Sequence, residues 1–255
     1  MVKVPISHGE DPRLRHLVDM QKKMIAILAQ DIRGPLHSLK SLLQLIPENK
    51  TGLSQPGLFL EMAGHQLNAT LSLLDNMVEW GQLELDGEVH SYTSCRLREI
   101  VRQIEREMEG QARLKGLHLV NRVDDAIVIE TDESRLRFIL RNLVSNAIKF
   151  TRAGTVAVDA ALGQKSVLIS VEDTGIGMPA DLLEQLFHGT KNVSRKGTGN
   201  EAGSGHGLSL VKEFVAKING RITAESEVGK GSAIALSLPR FSPRSHNLVD
   251  GAIAP

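Results

Sequence analysis

Up to about residue 88 the apolar positions of the chain follow a helical rhythm. Ile25, Leu28, Ile32, Leu39, Leu42 and Ile46 recur at intervals of three, four and seven, which predicts one seam of a bundled helix. The turn-rich stretch from Pro47 to Gly57 breaks that helix, and a second seam follows at Leu60, Ala63, Leu67, Leu71, Leu74 and Val78. Two long helices with a short connection make a hairpin at about 15–88, after a linker at 1–14. A lone hairpin cannot cover both seams, so two copies are expected to pair into a four-helix bundle.

Beyond residue 88 the pattern is mixed. A helix is predicted over Arg96–Leu114, with Leu97, Ile100, Val101, Ile104 and Met108 on one face. Short strands are predicted at Leu117–Val123, Ala126–Glu130, Thr155–Ala161, Ser166–Glu172, Arg221–Glu225 and Ala233–Leu238. Helices are predicted at Ser134–Phe150, Ala180–Leu186 and Gly207–Lys217. Helices layered on a mixed sheet give an α+β sandwich at 89–240, and the aperiodic tail at 241–255 reads as disordered.

Composition narrows the setting. Lysine plus arginine equals aspartate plus glutamate at 30 each, so no net field draws in nucleic acid or an anionic membrane. No apolar run reaches the roughly 20 residues that span a bilayer, and MVKVPISHGEDPR has neither signal-peptide nor transit-peptide character. A single cysteine, Cys95, excludes an internal disulfide framework and fits a reducing compartment. The expectation is a cytoplasmic protein, or the cytoplasmic part of a membrane sensor, with no membrane contact by this segment.

Three constellations carry candidate chemistry. In the predicted helix RLRFILRNLVSNAIKFT, Asn142 and Asn146 are four apart and Lys149 follows one turn on. Amide oxygens are hard ligands suited to magnesium, which completes its octahedron with water and phosphate. Two asparagines on the solvated side of an amphipathic helix read equally well at this point. In VEDTGIGMP, Asp173 follows a strand, and Gly175 and Gly177 let the backbone turn tightly against a ligand. A carboxylate there can accept a hydrogen bond from adenine's exocyclic amine; an ordinary aspartate–glycine turn is the plain alternative. In AGSGHGLSLVKEF, Gly203, Gly205 and Gly207 open a helix whose apolar face is Leu208, Leu210, Val211 and Phe214. Free N–H groups at such a helix start attract phosphate. The polar, basic stretch from His188 to Ala202, with Lys191, reads as a lid over phosphates or as a plain flexible loop.

Taken in order, and closed by Gly229-Lys230-Gly231-Ser232, these motifs resemble the catalytic domain of sensor histidine kinases. That domain belongs to an ATPase superfamily shared with DNA gyrase, MutL proteins and heat-shock chaperones. The resemblance covers about 95–240. It implies ATP and Mg2+ as cofactors, with Asn142, Asn146 and Lys149 serving magnesium and phosphates. It further implies that Asp173 reads adenine, while Gly175, Gly177, Gly203, Gly205, Gly207, Leu208, Lys191 and Ser232 shape the pocket. Hydrolysing relatives place a glutamate four residues before the metal asparagine, where this chain has Asn142, so phosphoryl transfer to a side chain is favoured over attack by water.

The segment ILAQDIRGPLHSL resembles the acceptor motif of the same kinases, with Asp31, Pro35 and Leu36 in place. The acidic residue there polarises the acceptor as a base. Gln30 stands where the family has histidine, and Gly34 where it often has a polar residue used in dephosphorylation. A glutamine amide has no lone pair comparable to imidazole's, so no autophosphorylation is expected at position 30. Either the chain is a pseudokinase that signals by nucleotide-dependent shape change, or Gln30 is a substitution in an otherwise ordinary kinase. The partners implied are a second copy of the chain and a response-regulator receiver domain.

Overall fold

The computed structural model describes residues 36, 37, 40, 41, 44, 56–85, 92–188, 197–199 and 207–241. The chain divides into two compact units, Met1–Gly87 and Glu88–Pro255, each taken by itself below.

In the first unit, helix α1 spans Pro56–Leu85. It starts on the last two residues of the predicted connection, because proline is tolerated in a first turn where its missing N–H would be unsatisfied anyway. Residues 36, 37, 40, 41 and 44 are helical and exposed; the predicted first seam lies outside the described residues. The second seam is partly buried and partly open in the single chain. The buried positions of α1 include Ala63, Thr70, Met77, Trp80, Leu83 and Glu84, whereas Leu67, Leu71 and Val78 are 46%, 48% and 56% exposed. The Thr70 hydroxyl is accommodated by donating to the Gln66 carbonyl one turn back (2.8 Å). The sequence pattern merged two adjacent stripes, a buried one at heptad spacing and a leucine-rich one that a single chain leaves open.

The second unit is the predicted sandwich. Its elements are β1 (Tyr92–Arg96), α2 (Leu97–Leu114), β2 (Leu117–Asn121), β3 (Val128–Asp132), α3 (Glu133–Phe150), β4 (Gly154–Leu162), β5 (Ser166–Asp173), α4 (Ala180–His188), α5 (Gly207–Lys217), β6 (Arg221–Glu227) and β7 (Gly231–Pro239). Five strands form one sheet in the order β2-β4-β5-β7-β6; β2 runs parallel to β4 and the other neighbours are antiparallel. Strand β1, too short to show a period in the sequence, pairs antiparallel with β3 in a separate ribbon. Strand β3 starts two residues later than predicted because Asp124 builds a turn there, its carboxylate accepting from Ala126 N–H (2.8 Å) and its carbonyl from Ile127 N–H (3.2 Å).

One sheet face carries the core. Along β5 the inward residues Val167, Ile169 and Val171 are buried, and their partners on β7 are Leu238, Leu236 and Ile234. The predicted apolar face of α2 is buried at all five positions, and Leu136, Ile139, Leu140 and Leu143 of α3 are buried with it. Phe138 of α3 meets Phe214 of α5 edge to face, with ring centres 4.9 Å apart. Cys95 is a buried free thiol whose pKa burial pushes up, which keeps it unreactive.

Candidate functional site

The sequence starts α3 firmly. Asp132 ends β3 and caps the helix, its carboxylate accepting from Arg135 N–H (3.0 Å) and pairing with the Arg135 guanidinium within the buried interior. The helix then presents Asn142, Asn146 and Lys149 along one side at spacings of four and three. Asn142 is buried, and its Nδ2 donates to the Phe138 carbonyl one turn back (2.9 Å). That bond turns Oδ1 outward to the start of α5, where a Cβ on Gly207 would stand 3.3 Å from it. Asn146 and Lys149 are half-buried.

Asp173, the last residue of β5, pairs with Ser232 of β7. Its Oδ1 accepts from Gly175 N–H (2.8 Å). Burial pushes the Asp173 carboxyl above its ordinary range, while hydrogen bonds from Gly175 and Ser232 pull it partly back. The glycines keep this cradle tight. Gly177 has φ +63°, and a Cβ there would overlap the Glu227 carbonyl oxygen. Gly231 has φ +108°, and a Cβ there would overlap the Asp173 carbonyl oxygen. Ile176 N–H donates to the Phe150 carbonyl (3.1 Å), which ties the loop after Asp173 to the end of α3. Gly229 N–H donates to the Ile176 carbonyl (2.9 Å), which ties it to the β6–β7 turn.

Three residues that sequence reasoning passed over belong to this framework. The Ser226 hydroxyl accepts from Met178 N–H (2.8 Å), donates to the Gly231 carbonyl (2.9 Å) and lies 3.0 Å from the Ser232 hydroxyl. Its inward position on β6, opposite Ser232, was readable only with the strand register. At the far end of α3, Lys115 Nζ donates to the carbonyls of Ile148 (3.0 Å) and Lys149 (2.9 Å) and to Thr198 Oγ1 (3.0 Å). Thr198 N–H also donates to the Lys149 carbonyl (3.0 Å). No motif spacing links these positions. Of the remaining expected residues, Gly207 and Leu208 open α5, whereas Gln30, Asp31, Lys191, Gly203 and Gly205 lie outside the described residues.

As chemistry, the site offers a half-buried acceptor, Asp173, and amide and ammonium groups along a helix. Among the described residues no cluster of three histidine, cysteine or acidic side chains could hold a metal by itself. The outward Asn142 amide oxygen is a hard donor of the kind a magnesium ion accepts when phosphate and water complete its shell.

Residues 131–242 match the family described as histidine kinase-, DNA gyrase B-, and HSP90-like ATPase. A sensor-like histidine kinase of Rhizobium meliloti is 32% identical over 231 residues, covering 87% of this chain and 43% of its own. This is the ATP-binding core of a sensor histidine kinase. The core is also 32% identical over 227 residues to the autoinducer 2 sensor kinase/phosphatase LuxQ of Vibrio parahaemolyticus, covering 84% of this chain and 26% of LuxQ. The chain thus spans less than half the length of these two curated relatives. Among solved structures, histidine kinase AdeS of Acinetobacter baumannii shares the fold with a TM-score of 0.60 at 17% identity, covering 82% of this chain and 96% of AdeS. Histidine kinase ThkA, solved in complex with the response regulator protein TrrA, shares it with a TM-score of 0.64 at 20% identity, covering 90% of this chain and 64% of that one. No described helix of the kinase core is long and apolar enough to cross a membrane.

Proposed function

We propose that this chain is the core of a two-component kinase that binds Mg-ATP between α3, the loop after Asp173 and the start of α5. In such kinases the γ-phosphoryl group passes to a histidine and then to an aspartate of a response-regulator receiver domain; with Gln30 at the acceptor position this chain does not autophosphorylate there. The carrying observation is the Asp173 cradle. A carboxylate held by Gly175 and Ser232 at a strand end, with its loop tied to Phe150 at the end of the helix that carries Asn142, Asn146 and Lys149, supports Asp173 as the adenine acceptor. Gly203, Gly205, Gly207, Leu208 and Lys191 complete the pocket by family resemblance. Positioning and electrostatics supply most of the rate in such transfers. Asn142 in place of a glutamate base, buried and bonded to its own helix, favours transfer to a side chain over hydrolysis.

The open stripe of Leu67, Leu71 and Val78 supports homodimerisation through the helical unit. Similar proteins support the ligands: ShkA has been solved with AMPPNP, and ThkA with a response regulator. Gln30 favours a second reading, a pseudokinase that binds nucleotide and regulator without chemistry, with Asp31 left as a base without an acceptor. The chain as it stands and its Gln30→His variant, incubated with γ-labelled ATP, separate these readings. Label that enters only the histidine variant is the expected result. Label in neither, with tight ATP binding, supports the scaffold, and rapid release of free phosphate overturns the transferase reading in favour of a hydrolase.

A further inference from the structure

The last carbonyls of a helix have no partners within it and carry the negative end of its dipole. In α3 they are met by groups from elsewhere in the fold. The turn between α2 and β2 delivers Lys115, half-buried, to the carbonyls of Ile148 and Lys149. The same ammonium holds Thr198 Oγ1, from a residue 83 positions away in the chain. Thr198 closes the arrangement through its own N–H to the Lys149 carbonyl, and its hydroxyl lies within 3.1 Å of that carbonyl and 3.0 Å of the Thr151 carbonyl. Three segments therefore converge on the backbone of Lys149, whose ammonium sits 5.4 Å from the Phe150 ring centre at the edge of the site.

We propose that Lys115 and Thr198 form a clamp that positions Lys149 for the phosphates of the nucleotide. The inference rests on the ATP-binding reading above and adds two positioning residues to it. The base end has ties of its own, because Asp173 is held by Gly175 and Ser232, and Met178 of the loop after it by Ser226; one bond, Ile176 N–H to the Phe150 carbonyl, joins that loop to α3. Loosening the last turn of α3 therefore shifts Lys149 more than the adenine acceptor. A cap that served stability alone would instead change the affinity for every nucleotide by one common factor.

The test uses the whole chain with magnesium and compares ATP, ADP and AMP by displacement of a fluorescent adenine nucleotide. Lys115→Met removes the charge at similar length, and Thr198→Val removes the hydroxyl at similar shape. Lys115→Met is expected to weaken ATP about tenfold, the size of losing a charge-assisted hydrogen bond. ADP loses less, and AMP stays within about twofold, because the lost term scales with phosphate charge. Thr198→Val shows the same ordering at about threefold, and Lys115→Arg and Thr198→Ser recover most of the affinity. An equal loss across the three nucleotides, or undiminished ATP affinity in both Lys115→Met and Thr198→Val, overturns the clamp. If the unsubstituted chain takes up none of the three, the ATP-binding reading falls first and the clamp with it. Should Lys115→Met fail to fold, as thermal unfolding will report, Thr198→Val decides alone.

Discussion

The two ends of the site are built differently. At the Asp173 end, neighbouring strands and tight turns do the work, with β5, β7 and β6 in register and Ser226, Ser232, Gly175 and Gly177 within a few residues of one another across them. At the Lys149 end, a lysine and a threonine from two distant segments fix the last turn of one helix. The first end is stiff because sheet geometry leaves it little choice. The second depends on three segments arriving together, so small changes there should move affinity for phosphate rather than for base.

The sharpest way to break this contrast is to remove the acceptor. Asp173→Ala is expected to weaken ATP about a hundredfold, about 2.7 kcal/mol, because a half-buried charged acceptor is lost and its donors at Gly175 and Ser232 are left unpaired. Titration calorimetry measures it, and an affinity within threefold of the unsubstituted chain would remove Asp173 from the base pocket. The pH dependence supplies the sign. Burial raises the folded-state pKa of Asp173 above its unfolded value, so the carboxylate acceptor is lost as pH falls through a range higher than that of an exposed aspartate. ATP affinity should decline on acidification from that raised point, and Asp173→Asn, which cannot titrate, should flatten the profile.

Next in size is the turn that closes the cradle. Gly177→Ala puts a side chain at φ +63° and against the Glu227 carbonyl, so the backbone must move. The left-handed conformation and the crowding together should cost about 2–3 kcal/mol in the unfolding of residues 88–255. Denaturant titration checks this, and an unchanged midpoint would mean that the turn is not held as described. Affinity for AMP should fall along with that for ATP, in contrast to the phosphate-selective loss expected at Lys115.

How much of this was legible in the sequence follows the same division. The sheet, the helices of the second unit and the carboxylate–glycine turn were readable because each is local: a period of two or 3.6, or glycines two apart after a strand end. Asp173, Gly175 and Gly177 stand where that reading put them, at the end of β5 and in its loop. Lys115 and Thr198 were invisible because their meaning lies in a meeting of segments that no spacing records. The second helical seam was legible only as a single stripe, for a related reason. Adjacent stripes on one helix give nearly the same periodicity, and Leu67 and Leu71 are no less apolar for being open than Ala63 and Met77 are for being buried.

Ser226 gives the smallest effect and the closest comparison, since it belongs to the stiff end and is not itself a predicted ligand position but the neighbour of one, Ser232. Its hydroxyl satisfies Met178 N–H and the Gly231 carbonyl at once, so Ser226→Ala leaves two part-buried backbone groups short of partners. A loss of about 1–2 kcal/mol in stability is expected. Ser232, freed of its neighbour 3.0 Å away, then holds Asp173 less firmly. Discrimination of ATP against GTP should fall by a few-fold while the ratio of ATP to AMP affinity stays constant, the mirror image of the Lys115 result. A change in the ATP-to-AMP ratio instead would mean that the two ends share one network, and that the site moves as a single body.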